Sequence, residues 1–251
     1  MKRILAIILV AVMALAAFSA CSGETKNNGD EDKKGEGVMT HAEYIAAEKD
    51  AAVVIETYVQ AKQSWWEDKA TLYTQDKDGA YFIYNASCSQ ELYDKLVAGT
   101  KIKVTGFKGE YSGEIEIAEG ATIEIEEAEP YLAPVFDATA LFGTDELEKH
   151  MNEFFTVKDA VVEAIGQDDD GNDLAFFYNY NNSGEDGNDL YFKVKIGENS
   201  FTFTVESYLC DNTTEVYNAV KNLKVGDVID VEGFLYWYEG ANPHVTSVVV
   251  K

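Results

Sequence analysis

The stretch GTKIKVTGFKGEYSG, residues 99–113, decides the fold of this chain, because it recurs as GDVIDVEGFLYWYEG at residues 226–240. Seven positions are identical at a constant offset of 127 residues. A repeat of this kind predicts two copies of one small domain. The identical residues form the pairs Gly99/Gly226, Ile102/Ile229, Val104/Val231, Gly106/Gly233, Phe107/Phe234, Tyr111/Tyr238 and Gly113/Gly240.

The repeated stretch has the pattern of a bent β-strand. Ile102 and Val104 alternate with polar residues, which gives the strand one apolar face and one polar face. Gly106 then allows the kink or bulge that curls a strand around a barrel.

The two halves of the chain also share an order of elements. Each predicts a strand, a hairpin, a helix and then the repeated strand with a closing strand after it. In the first half the segments are 52–63, 70–75, 80–85, the helix 89–98, 101–107, 114–117 and 121–126, after a short helix at 40–49 that Thr40 and Glu43 cap. In the second half they are a helix 145–154, then 156–165, 190–196, 201–208, the helix 213–223, 227–238 and 245–250.

This order resembles the OB-fold, in which a helix joins the third and fourth strands of a five-stranded barrel. The stretch LYDKLVAGTKIKVTGFKGEYSGEIEI, residues 92–117, is also similar to OB-fold domains of bacterial secreted proteins and lipoproteins. The resemblance implies a mostly β chain with two tandem OB-fold-like five-stranded barrels, each with short α-helices. It does not identify a ligand. The matching residues are Tyr93, Leu96, Gly99, Ile102, Val104 and Gly106 in the first copy and Tyr217, Gly226, Val228, Val231 and Gly233 in the second.

The N-terminus has the pattern of an export signal. Lys2 and Arg3 precede an apolar run at residues 4–17, which is too short to span a membrane well. Residues 18–21, FSAC, resemble the lipoprotein box, in which the cysteine is acylated and becomes the first mature residue. The resemblance implies an exported protein that Cys21 anchors to the bacterial cell membrane; an ordinary signal peptide is the alternative.

The domain organisation follows from these patterns. We expect a lipoprotein signal peptide at 1–20 and a disordered tether at 21–39, which is polar, rich in glycine and unable to bury a core. The first OB-fold-like domain then covers 40–127, a linker with two prolines covers 128–143, and the second domain covers 144–251.

The chain is strongly acidic, with 45 Asp and Glu against 20 Lys and Arg and a net charge of −25. This charge repels phosphates and favours solubility, cations or a basic partner. Single-stranded nucleic acid, a frequent ligand of OB-folds, is therefore only the weaker alternative function and not an expected partner, because its binding requires a groove of Lys and Arg. A neutral glycan or a basic protein surface fits the charge better.

Aromatic residues cluster where OB-folds bind their ligands. Flat aromatic faces stack on sugar rings or bases, so these residues predict a glycan-binding or polymer-binding surface. Alternatively, they fill the core and cover the ends of the barrels. The candidate ligand-binding residues are Trp65, Trp66, Tyr111, Phe177, Tyr236, Trp237 and Tyr238, with Phe176, Tyr178 and Tyr180 in the same clusters.

An acidic segment, DDDGND at 168–173, offers Asp168, Asp170 and Asn172 as weak candidate Ca²⁺ ligands. Its glycine comes too early for an EF-hand loop, and Asp-Gly and Gly-Asn pairs are also ordinary turn residues. We therefore predict a turn, no metal site and no cofactor.

No catalytic motif is present in the sequence, which points to a non-catalytic binding module rather than an enzyme. The competing prediction is a structural or assembly protein that binds a basic partner. Cys88 and Cys210, one in each copy, are predicted to be buried free thiols rather than a disulfide.

Overall fold

The computed structural model describes residues 34–251, which belong to one compact unit made of two β-barrels. The predicted signal peptide and Cys21 lie outside these residues. The mostly β fold class with two OB-fold-like barrels is confirmed. No helix within residues 34–251 is long and apolar enough to cross a membrane.

The first barrel is built from residues 41–125. Its elements are α1 His41–Ala46, β1 Ala52–Lys62, β2 Lys69–Gln75, β3 Ala80–Ser87, α2 Gln90–Lys95, β4 Lys101–Tyr111, β5 Glu114–Ile117 and β6 Thr122–Ile125. Strand β4 pairs with β1 on one side and with β5 and β6 on the other, and β3 pairs in parallel with β5, which closes the sheet.

The second barrel is built from residues 136–250 and closes in the same way. Its elements are β7 Phe136–Asp137, a 3₁₀ turn Leu147–His150, β8 Phe154–Glu163, β9 Gly166–Gln167, β10 Asp173–Leu174, β11 Phe176–Tyr178, β12 Leu190–Ile196, β13 Asn199–Val205, α3 Glu215–Lys221, β14 Val228–Phe234 and β15 His244–Val250. Strand β8 pairs with both β12 and β14, and β13 pairs in parallel with β15.

The repeated glycines bend both barrels as the sequence predicts. Strand β4 pairs with β6 up to Thr105 and with β5 from Lys108 onward, so it changes partner around Gly106. A side chain at Gly106 would place its Cβ 2.8 Å from the Cβ of Ala121, which leaves no room for one. At Gly233, the equivalent position, the pairing of β14 with β15 shifts by a bulge.

Local capping explains which predicted helices form. Thr40 and Glu43 make the predicted capping box at the start of α1. The predicted helix at 145–154 is wrong, because only a short 3₁₀ turn forms there. Glu146 provides no side-chain cap for it, and Phe154 already pairs with Phe234 as the first residue of β8.

Residues 34–39, which the sequence assigns to the tether, contact the first barrel. The Lys34 ammonium lies 2.6 Å from the buried Asp76 carboxylate, and the Met39 amide donates to the Val54 carbonyl at 2.8 Å. These contacts hold residues 34–39 against the first barrel ahead of α1.

Each barrel has its own apolar core, and a third cluster joins them. Tyr73 and Phe82 of the first barrel and Phe234 of the second are almost fully buried together. The rings of Tyr73 and Phe234 stack with their centroids 4.6 Å apart. Because β2 and β3 are buried on both faces over most of their length, one face fills the barrel and the other packs against the second barrel.

Cys88 and Cys210 are buried and free, as predicted. Burial raises the pKa of both thiols, to about 11 for Cys210. Both are therefore uncharged, weakly reactive side chains at neutral pH.

Candidate ligand-binding cleft

A cleft of about 990 Å³ lies between the two barrels. This volume is at the upper end of the range for small-molecule and cofactor sites. Six of the seven exposed aromatic side chains within residues 34–251 line it, and Phe107 is the exception. Large patches of exposed apolar side chains are rare on soluble proteins and usually mark a binding surface. The six are Trp66, Tyr84, Tyr111, Tyr180, Tyr208 and Tyr238.

The turns that end the two repeated stretches, at residues 111–113 and 238–240, form one wall of the cleft. Tyr111 and Tyr238 are equivalent in the repeat, and their ring centroids lie 6.0 Å apart at a tilt of 49°. The Glu239 amide donates to the Ser112 carbonyl at 2.7 Å, which fixes one turn against the other. The tyrosines therefore form one aromatic surface that neither barrel has by itself.

The floor of the cleft is a packed set of rings from both barrels. His244 stacks on Tyr236 with centroids 4.1 Å apart, and Tyr236 meets Phe82 edge-on at 5.2 Å. His244 is buried, which lowers its pKa to about 3, and its Nδ1 shares a hydrogen bond with the Tyr73 hydroxyl. The imidazole is therefore neutral and structural at physiological pH.

Polar side chains on the walls are held by their neighbours. The Thr204 hydroxyl donates to Asn242 Oδ1 at 3.1 Å, and Asn242 Nδ2 donates to the Thr202 carbonyl at 3.2 Å. In the first barrel the Thr71 hydroxyl donates to Asn85 Oδ1 at 3.2 Å. These contacts fix the positions of hydroxyl and amide groups that can hydrogen-bond a ligand.

The cleft is acidic. Glu116, Asp189 and Glu206 line it, and Lys69 is the only Lys or Arg to do so within the described part of the chain. Burial raises the pKa of Glu116 to about 7, while burial and then the nearby Asp189 raise the pKa of Glu206 to about 8. The Lys69 ammonium lies 2.6 Å from Glu119, so its charge is already paired.

Of the seven residues that the sequence predicts for ligand binding, five line the cleft: Trp66, Tyr111, Phe177, Tyr236 and Tyr238. The other two are placed elsewhere. Trp65 Nε1 donates to the Cys88 carbonyl at 2.8 Å. Trp237 packs against the core of the second barrel, and a Cβ on Gly113 would lie 3.1 Å from its ring.

Several lining residues carry no sequence signal that marks them as part of a site. Tyr84, Tyr191, Tyr208, Glu116 and Glu206 lie on or beside strands, where aromatic and acidic residues are ordinary. For Tyr84 the one available hint was the period of two on β3, where buried Tyr81 and Ile83 point into the barrel and Phe82 and Tyr84 point away from it.

The candidate cation segment forms a self-contained turn. The Asp168 carboxylate accepts hydrogen bonds from the backbone of Asp170 and from both the backbone and side chain of Asn172. These bonds lower the pKa of Asp168, with those from Asn172 contributing most. Across residues 34–251 no group of three or more His, Cys, Asp and Glu side chains is arranged to hold a metal ion.

No protein-family model matches the chain, and no curated protein matches it. Among solved structures, the Ifi202 HINa domain in complex with 20-bp double-stranded DNA is 14% identical, with 80% of this chain and 98% of that chain covered and a TM-score of 0.34. The p204 HINb domain is 11% identical over 81% and 98% of the two chains, with a TM-score of 0.35. A replication protein A heterotrimer bound to single-stranded DNA is 12% identical over 88% and 52%, with a TM-score of 0.33. Similarities this distant assign neither a family nor a ligand to this chain.

Proposed function

We propose that this chain is an exported lipoprotein, anchored through Cys21, that binds a glycan or a similar polymer in its interbarrel cleft without catalysing a reaction. The observation that carries the proposal is the convergence of six exposed aromatic side chains on one cleft. Exposed tyrosine and tryptophan faces stack on flat ligands and lose little conformational entropy when they do so.

The charges of the cleft support a neutral or cationic ligand over a polyanion. A nucleic acid needs several Lys or Arg contacts with its phosphates. Within the described residues the cleft offers Lys69, which is paired with Glu119, and three acidic side chains line the same space. Fixed hydroxyl and amide groups beside aromatic faces suit the hydroxyl groups and flat faces of sugar rings.

The first experiment is an array of glycans and polysaccharides, probed with the full-length chain in detergent at two salt concentrations. Single-stranded and double-stranded DNA are included as competing ligands. We expect a glycan signal that survives moderate salt, since stacking on a neutral ring is not screened. The proposal would be overturned if the chain bound only DNA or gave no signal with any glycan.

A matched pair of variants tests whether the ligand binds in the cleft. Tyr111→Ala combined with Tyr238→Ala removes the shared aromatic surface, and we expect it to abolish the array signal. Phe107→Ala removes an exposed aromatic ring of the first barrel that lies outside the cleft, so its signal should equal that of the wild type. Equal binding by the double variant would rule out the cleft as the site.

A basic protein partner is the second candidate, because Glu116, Asp189 and Glu206 line the cleft. Association driven by opposite charges weakens steeply as salt is added. A partner that crosslinks to the cleft at the cell surface and dissociates with moderate salt would favour this alternative over a glycan.

The anchor is tested separately. Expression of the full chain and of Cys21→Ser in bacteria, with radiolabelled palmitate, should label only the chain with Cys21. The labelled protein should enter the detergent phase and the variant should remain in the aqueous phase. Label on the variant, or none on either chain, would contradict lipid anchoring.

A further inference from the structure

One carboxyl group in the cleft has no partner of its own. Glu116 is half-buried on β5, and no group of residues 34–251 donates a hydrogen bond or forms an ion pair with its side chain. Neighbouring Glu114, by contrast, accepts two hydrogen bonds. A partly desolvated carboxyl without a donor is energetically costly, so a donor from outside the chain would stabilise it.

The groups around Glu116 do not compensate its charge. Tyr236 lies near it, Tyr84 and Tyr111 line the same cleft, and Glu114 on the same strand adds a second carboxyl. The nearest basic side chain of its neighbouring strand β4, Lys108, points elsewhere, since its ammonium donates to the carbonyls of α1 and its C-cap. Burial accordingly raises the pKa of Glu116 to about 7.

The opposite barrel presents a second desolvated carboxyl, which has a backbone partner but no cation. Glu206 directly follows β13, and its carboxylate accepts a hydrogen bond from the Leu209 amide at 2.9 Å. Asp189 lies close enough to raise the pKa of Glu206 further, and Tyr73, Tyr191 and Cys210 face the same region without adding positive charge. Both walls of the aromatic cleft thus carry a carboxyl that no basic side chain of residues 34–251 neutralises.

Aromatic faces and carboxyls together are what a positively charged amino group requires. The ring faces attract the cation through their quadrupoles, and a carboxylate accepts its hydrogen bonds. We propose that the cleft selects glycans that carry free amino groups, with Glu116 and Glu206 accepting hydrogen bonds from the ammonium groups while the tyrosine surface stacks on the sugar rings. This inference rests on the proposed function and specifies its ligand class.

The test compares two oligosaccharides that differ only at nitrogen. Glucosamine oligomers carry free amines, whereas N-acetylglucosamine oligomers of the same length and linkage carry neutral amides. Titration calorimetry with the full-length chain near neutral pH should give the free-amine oligomer about tenfold or greater affinity, as a hydrogen bond to a charged group warrants.

The variants Glu116→Gln and Glu206→Gln should reduce this preference singly and remove it together, because Gln keeps the shape but cannot ionise as a carboxyl does beside a bound ammonium group. Glu198→Gln is the matched control: it removes one carboxylate from a fully exposed turn of the second barrel and should leave the preference unchanged. Circular dichroism spectra of all variants serve as the control for correct folding.

The outcomes separate this inference from the proposed function. Equal affinity for the two oligomers, or a preference that survives the double Gln variant, would overturn the amine selectivity while leaving glycan binding intact. Binding of neither oligomer, together with no glycan signal on the array, would overturn both. Tighter binding of an oligolysine peptide than of the amino-sugar oligomer would assign the carboxyls to a basic peptide and overturn the inference.

Discussion

Tyr111 and Tyr238, which occupy the same position in the two sequence repeats, meet across the barrel interface with their ring centroids 6.0 Å apart. The duplication therefore supplies both halves of one aromatic surface. Neither ring is packed into a core, as both are about half exposed, so their contact leaves faces free for a ligand.

We expect the two tyrosines to act as a unit. Tyr111→Ala or Tyr238→Ala alone should weaken glycan binding roughly tenfold, and the double variant by less than the product of the two, because both rings contact the same ligand unit. Calorimetric titration of the four proteins with the best ligand from the array measures this coupling. Fully additive losses would mean that the rings bind separate parts of the ligand.

The tryptophans Trp66 and Trp237 should respond differently to removal. Trp66→Ala should weaken ligand binding and leave the urea midpoint almost unchanged, since 64% of this residue is exposed. Trp237→Ala should lower the unfolding free energy by about 2 kcal/mol or more, because the ring packs against the second barrel and over Gly113. Equal destabilisation by both variants would contradict this assignment.

The buried carboxyl of Glu114 should make stability depend on pH. It accepts hydrogen bonds from Asn152 Nδ2 at 2.6 Å and from the Trp237 amide at 2.9 Å, both in the second barrel. Burial, only partly offset by these bonds, raises its pKa from 4.5 to about 8. The folded state therefore binds more protons than the unfolded state between these values, and the unfolding free energy falls as pH rises from about 4.5 to about 8.

Glu114→Gln should flatten this part of the pH profile and stabilise the protein at pH values above it, by an amount on the order of a few kcal/mol at most. The variant can keep both contacts, because Asn152 Oδ1 is buried with no partner among the described residues and can accept from the new amide after a side-chain flip. Urea unfolding across this range measures the slope, and Glu198→Gln serves as the exposed control. A slope equal to that of the wild type would show that Glu114 does not titrate in this range.

Tyr73 holds the barrels together through a polar contact inside an apolar cluster. Its hydroxyl accepts from Gln63 Nε2 at 3.2 Å and shares a hydrogen bond with His244 Nδ1 in the second barrel. Tyr73→Phe leaves the buried imidazole nitrogen unpaired, so we expect a loss of about 1–3 kcal/mol of unfolding free energy. Urea unfolding of the variant provides the value, and no change would show that the hydroxyl of Tyr73 adds nothing to the packing of its ring on Phe234.

The burial of His244 predicts a second effect of pH on the unfolding free energy, opposite in direction to that of Glu114. Burial lowers its pKa from 6.5 to about 3, so the folded state binds fewer protons than the unfolded state in this range. Its contribution to stability is complete above about 6.5 and is lost as pH falls toward 3. Thermal melting from neutral to acidic pH should show this loss, and His244→Gln should make the profile shallower.

The sequence determined the fold class because its signals are local. Alternation around Ile102 and Val104, the glycines at 106 and 233, and the capping pair Thr40 and Glu43 act within a few residues of themselves. Because the stretch is repeated, the same bent strand is predicted in both halves of the chain. The helix predicted at 145–154 failed because the pairing of Phe154 with Phe234 is a contact between residues far apart in the chain, and such pairing overrides local helical tendency.

The sequence also indicated several of the aromatic residues that line the cleft, because Trp66, Tyr111, Phe177, Tyr236 and Tyr238 belong to the aromatic clusters visible in it. It could not separate these from Trp65 and Trp237, because residues adjacent in a bent strand or turn point in different directions. Nor could it indicate Glu116 and Glu206, since a carboxylate becomes informative only when burial removes its water and no cation replaces it.

The amino-acid sequence by itself determined two OB-fold-like barrels, because the spacing of apolar residues and glycines fixes strands and their bends over short distances. Only the tertiary structure decided that the barrels meet through Tyr73, Phe82 and Phe234, and that an acidic aromatic cleft lies between them. The relative placement of the two domains depends on contacts between residues 79 to 171 positions apart, such as the Tyr73 hydroxyl with His244 and the Gln75 side chain with the Phe154 amide. No local pattern encodes which of these surfaces will pair.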